Sequence, residues 1–228
     1  MYNNIYKGKV IVMEITTIGR GVGKYIPDEV QINLVFQSRS IDYQTALTEG
    51  NKSIDEFVNE VLVSLGFNNN ELKINNLTVR EERKYNNQTG NNKLVGYLFE
   101  ANALLKFLYD KDLIALFLNL ISKLTNPPHF TLNFGLKNEE QHKNELLQKA
   151  YQDALNHAEV IAKSANKQIK EPLKVSFEPL NQPFSSLSSF DSRNILYSNE
   201  TNINNFVNYL NPMDIELEET LYALFLAE

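Results

Sequence analysis

The chain has 228 residues, of which 43% are hydrophobic and 22% charged, the balance expected of a globular protein rather than a disordered one. A net charge of −6 and a pI near 5.2 argue against a broad nucleic-acid surface, which needs clustered Lys and Arg, and against attraction to anionic lipid. The absence of cysteine excludes disulfides, thiolate catalysis and cysteine-based metal sites.

The N-terminal stretch MYNNIYKGKVIVMEI holds no apolar run of signal-peptide length and no small-residue cleavage site. No segment approaches the roughly 20 apolar residues that span a bilayer. The expectation is a cytoplasmic protein without membrane insertion, with residues 1–9 as an extension before the first element.

Val10 to Ile18 is rich in β-branched residues and predicts a strand. It runs into GRGVGKYIPD, residues 19–28, where glycines at alternate positions permit a bulge, a bend or close backbone packing. The expectation is a bend between the first two strands, closed by Pro27-Asp28. Val30, Ile32, Leu34 and Phe36 then alternate with polar residues as a half-buried strand. Apolar residues from Tyr43 to Leu65 recur at spacings of three and four, an amphipathic helix over about 41–65 with Gly66 as its C′ residue. Gly50 weakens it locally.

Residues 71–85 alternate again, with a change of phase at Asn75-Asn76 that predicts a bulge. NNQTGNN (86–92) is a turn, and Lys93 to Phe107 a long strand completing a hairpin. Leu113 to Leu124 forms a very apolar helix stopped by Asn126-Pro127-Pro128, followed by a strand at His129–Leu136. Asn138, with Gln141 three residues on, predicts a capping box for a long helix whose stripe includes Ala150, Ala154, Ala158 and Ala162. Leu173 to Phe177 is a short strand. Residues 181–211, rich in Pro, Ser and Asn, read as a linker or mobile loop. The last segment, 212–228, fits helix propensity and strand alternation equally.

Candidate chemistry is sparse. A phosphate-binding Walker loop needs Gly, four residues, then Gly-Lys-Ser/Thr, whereas Gly19 and Gly23 are three residues apart and Tyr25 follows Lys24. The dinucleotide fingerprint fails because Lys24 occupies the third glycine position, and a strand rather than a helix follows. His129, His142 and His157 lack metal-ligand spacing. Glu81-Glu82 and Glu139-Glu140 are adjacent pairs, and neighbouring strand residues point to opposite faces. There is no nucleophile elbow. No catalytic, cofactor-binding or metal residue is assigned, and no cofactor is expected.

Taken in order, ITTIGRGVGKYIPDEVQINLVF, LVSLGF, ELKINNLTVREERKYN, KLVGYLFEANALLKF, KAYQDALNHAEVIAKSANKQI and LKVSFEP resemble the SIMPL-domain family, widespread in bacteria. The signature positions are Gly19, Gly21, Pro27, Asp28, Gly96 and Tyr97, with the alanine rhythm of the long helix. The resemblance covers about residues 14–180 plus the end, and tips the C-terminal segment towards a strand docked beside the N-terminal hairpin.

The resemblance implies an α+β two-layer sandwich, with antiparallel sheets, helices packed on one face and a ferredoxin-like inner portion. The expected organisation is a domain over 10–180, its inner subdomain at about 72–137, and a returning strand at 212–228. Relatives are often periplasmic or at the cell surface and tend to form oligomers, and their molecular activity is not established. The functional expectation is a non-enzymatic protein that forms homo-oligomers through sheet edges or binds other proteins. The alternative is a small-molecule or nucleotide-handling enzyme using a Gly19–Lys24 loop.

Overall fold

The computed structural model describes residues 12–86, 91–179 and 210–228. The 1–9 extension, the tip of the turn at 87–90 and nearly all of the 181–211 stretch lie outside them. Seven strands and three helices follow in order: β1 (Met13–Tyr25), β2 (Glu29–Ser40), α1 (Tyr43–Phe57), β3 (Lys73–Asn86), β4 (Asn91–Leu108), α2 (Lys111–Ile121), β5 (His129–Gly135), α3 (Glu139–Ser164), β6 (Ile169–Ser176) and β7 (Ile215–Ala227). They build two antiparallel sheets and two compact units, an α+β fold.

One unit runs β2-α1-β3-β4-α2-β5 with sheet order β3-β4-β2-β5. This is the split β-α-β arrangement of ferredoxin-like domains. Its core follows directly from the alternation in the sequence. Val30, Ile32, Leu34 and Phe36 of β2 and Phe99, Ala101, Ala103, Leu105 and Phe107 of β4 point to one face. Phe57, Val61 and Leu62, with Ile114, Phe117 and Ile121 of α2, close over them. Phe36 and Phe57 meet edge to face, centroids 5.5 Å apart.

Helix α1 begins where Asp42 accepts a hydrogen bond from the Thr45 amide at 2.8 Å. It passes into a π-turn at Val58–Leu62 and ends at Gly66, whose φ of +82° is the left-handed cap predicted for it. Gly50 has a positive role: the Phe99 ring stands where its Cβ would be. The expected bulge in β3 is present, with a register shift between Ile74 and Asn76.

The other unit is the sheet β1-β7-β6 with α3 laid on one face. Ile15 of β1, Leu221, Ala223 and Phe225 of β7, and Ala150, Ala154, Ala158 and Ala162 of α3 are its buried core. The C-terminal segment is therefore a strand, but no N-terminal hairpin receives it. β1 pairs with β7 over its whole length, and β2 pairs with β4 and β5 in the other sheet. The capping box expected at Asn138 is also absent. Its ψ of 44° is far from the extended value of a capping residue, its side chain makes no cap bond, and the amides of Gln141 and His142 bond to its carbonyl instead.

Two consequences are measurable. Phe36→Ala empties a fully buried aromatic site and should cost about 3–5 kcal/mol in urea unfolding, read from the unit that contains β2. Asp42 is held below the ordinary aspartate range, chiefly by the Thr45 amide hydrogen bond. A depressed carboxyl stabilises above its unfolded pKa and loses that contribution as pH falls through the folded value. Protection of the Thr45 amide, its exchange referred to the intrinsic rate at each pH, should fall on that acid limb in the parent chain, and Asp42→Ala should remove this pH dependence.

Candidate functional site

The glycine stretch is strand, not bend or loop. The β1–β7 register runs unbroken from Met13 opposite Ala227 to Tyr25 opposite Ile215, so Gly19 to Lys24 lie inside β1. Gly19 and Gly21 are buried and face α3. A Cβ on Gly19 would overlap the Ala150 carbonyl oxygen, and one on Gly21 the Leu146 carbonyl oxygen. Missing side chains on β1 and alanines on α3 let helix and strand backbones approach closely. Thr17 uses that proximity: its hydroxyl donates to the Ala154 carbonyl at 2.9 Å. What meets these glycines is helix carbonyl oxygen, which repels a phosphate; a cradle needs backbone N–H groups. The nucleotide-loop alternative fails on that geometry.

Pro27, in the chain segment that links β1 to β2, is buried. Asp28 ties three strand ends together. Its amide donates to the Gly135 carbonyl at 3.1 Å, its carbonyl accepts from the Tyr109 amide at 2.9 Å, and its Oδ1 accepts from the Lys137 amide at 2.7 Å. Gly96 sits at a second bulge, where the register passes from Glu82–Gly96 to Arg83–Leu94. A Cβ there would lie 2.7 Å from the Ser40 carbonyl oxygen. Tyr97 packs edge-on against Tyr43, with centroids 5.5 Å apart. Each of the six signature positions thus has a structural task.

An open cleft of about 440 Å³ in the β2–β5 unit is lined by Glu29, Glu71, Lys106 and Asp110 over Phe67 and Phe107, among others. Its carboxylates are already engaged. Glu29 Oε1 accepts from Gln31 at 2.6 Å and from Lys106 Nζ at 3.2 Å. Glu71 accepts from the Asn68 amide, and Asp110 accepts from the first amides of α2. The paired glutamates have separate partners too: Glu81 meets Arg83, Glu82 meets Arg39 and Glu139 meets Lys143. Proton affinities are displaced at Asp42, at Tyr109, raised by burial, and at Lys143, raised first by its hydrogen bond to Glu139. Each shift has a local cause on a different element, unlike the converging perturbations of an acid/base site. Among the described residues no cluster of His, Asp and Glu could hold a metal ion.

The sequence reading passed over the pair on α3 that touches β1. Asp153 Oδ2 accepts from the Arg20 backbone N–H at 3.0 Å. His157 Nδ1 lies 3.3 Å from the Ile18 carbonyl oxygen, and an acceptor there places the ring proton on that nitrogen. Asp153 Oδ1 is 3.7 Å from His157 Nε2. Their spacing of four on one helix was the available signal. The partner strand, more than 130 positions away, was not. His142 rests against the Tyr25 ring at 4.1 Å, its Nδ1 buried and without a hydrogen-bond partner among the described residues.

The close contact yields a discriminating test. Gly21→Ala must displace helix backbone and should destabilise by about 1–3 kcal/mol, as overpacking does. At Gly23 the three atoms nearest to a Cβ would all be at the far end of the Tyr25 side chain, at 2.8–2.9 Å, and not helix backbone. Gly23→Ala should therefore change stability by less than about 1 kcal/mol, within the range for a strand glycine. Urea melts of the two variants give the comparison; equal losses would refute the packing account.

No helix among the described residues is long and apolar enough to cross a membrane. No curated protein matches the chain significantly. The model of a family described as SIMPL, protein of unknown function (DUF541), matches residues 15–201. That span takes in β1 from Ile15 with its docked glycines, the strands and helices from β2 to β5, α3 and β6. The chain belongs to the SIMPL family, a family described as of unknown function.

Proposed function

We propose that this SIMPL protein is a non-enzymatic interaction domain that associates with further copies of itself through the sheet β1-β7-β6. The observation that carries this reading is β6. It is an edge strand, paired on one side by β7 among the described residues. Leu173 and Val175 on it, and Phe177 just beyond, are 54%, 48% and 71% exposed. A row of large exposed apolar side chains on an edge strand is a contact surface by the ordinary physics of burial.

The two edges of the other sheet are less suited to the task. β3 carries two bulges and the charged run Arg80 to Lys84, and β5 has only seven residues; β6 is also short and irregular around Pro172, and what sets it apart is its row of exposed apolar side chains. Bulges, charges and shortness are the usual means of blunting an edge. The engagement of the cleft carboxylates in caps and ion pairs supports a binding role over catalysis.

Sedimentation velocity tests the proposal. The parent chain should show species heavier than the monomer at tens of micromolar, and Val175→Lys with Phe177→Lys should shift the distribution to monomer. A strict monomer for the parent chain would overturn self-association, and oligomers unaffected by the two lysines would overturn the surface.

A further inference from the structure

We propose that Asp153 and His157 of α3 are a guard on the free edge of β1, an autoinhibitory contact that keeps this strand from pairing with another chain. The inference is independent of association through β6 and concerns the opposite edge of the same sheet. β1 is thirteen residues long, pairs on one side by β7 among the described residues, and has no register shift. Straight edges of that length invite strand addition. β1 has neither proline nor bulge to break its backbone edge, and its own blunting is confined to the charged side chains Glu14, Arg20 and Lys24.

The register identifies which backbone groups face outward. In an antiparallel pair, alternate residues direct both N–H and C=O away from the partner. Arg20 and Ile18 use these groups on α3 side chains, so they belong to the outward set, while Thr17 and Gly19 belong to the ladder with β7. Those outward groups at the centre of the edge are the ones an incoming strand would use. The Arg20 N–H is taken by the Asp153 carboxylate at 3.0 Å, and the Ile18 C=O by His157 Nδ1 at 3.3 Å. An added strand must displace a charge-assisted bond, among the stronger kinds of hydrogen bond, before forming its own.

The guard depends on the glycines. Because Gly19 and Gly21 admit the α3 backbone against β1, the next side chains round the helix, Asp153 and His157, reach the strand edge. A side chain at either glycine would lift the helix and withdraw them.

The test compares Asp153→Ala/His157→Ala with the parent chain by sedimentation velocity over a concentration series, alone and combined with Ile18→Pro. Proline at residue 18 removes an outward N–H at the centre of the edge without costing a ladder bond. The double variant should gain a concentration-dependent heavier species relative to the parent chain, and Ile18→Pro should abolish the gain. No gain, or a gain that survives the proline, overturns the proposal. Because the readout is a change from the parent distribution, failure of association through β6 leaves the comparison intact. Should the double variant fail to fold, Asp153→Ala alone is read by hydrogen exchange. The Arg20 amide should exchange at least about tenfold faster, as loss of a charge-assisted bond implies, with the Thr17 and Gly19 amides unchanged. An unchanged Arg20 amide also overturns the guard.

Discussion

The contact between β1 and α3 is the constraint on which the three-stranded unit rests. Two elements with ordinary side chains pack at a distance set by those side chains; here one surface has Gly19 and Gly21 and the other Ala150, Ala154, Ala158 and Ala162. With little side-chain volume between them, backbones meet, and polar groups that would otherwise be out of reach become partners. The Thr17 hydroxyl finds the Ala154 carbonyl, and the β1 edge finds Asp153 and His157. Burial of so much small surface contributes little hydrophobic free energy per residue, so the larger share falls to Ile15, Leu221 and Phe225 on the strands.

How much of this was legible in the sequence depends on how far apart the deciding residues are. β2 is visible because its alternation is local: Val30, Ile32, Leu34 and Phe36 all point to one face. The Gly66 cap and the bulge at Asn75-Asn76 are local events too, each announced by its own residues. The glycine stretch is different. Glycine permits a bend and a close packing contact by the same lack of a Cβ, so residues 19–23 alone do not separate the two. The answer lies at Leu146, Ala150 and Ala154, more than 120 positions away. The pairing of β1 was misread for a related reason: chain proximity favours a hairpin with β2, while the actual partner is the last strand.

Candidate chemistry divides in the same way. That Glu81 and Glu82, as neighbours on a strand, point to opposite faces was legible from strand geometry. That the cleft carboxylates Glu29, Glu71 and Asp110 are engaged could be learned only from their partners, of which Lys106 stands 77 positions from Glu29 and the others lie in caps. Asp153 and His157 were invisible as a pair with a task because their counterpart is backbone, and backbone leaves no mark in a sequence.

The two edges of the β1-β7-β6 sheet are therefore treated by opposite means, and the difference bears on specificity. A sheet open at both edges can add strands without limit, which is the route to filaments and aggregates. At β1 the outward groups are occupied by helix side chains, while at β6 the edge is irregular around Pro172 but carries Leu173 and Val175, with Phe177 just beyond. A contact at β6 driven by side-chain burial can be made by a complementary surface without a continuous backbone ladder. On the two proposals above, closing one edge by hydrogen bonds and marking the other by apolar side chains would give the sheet a single direction for association. A glycine pair that seats one helix low enough to reach a strand edge would then be sufficient to set that asymmetry.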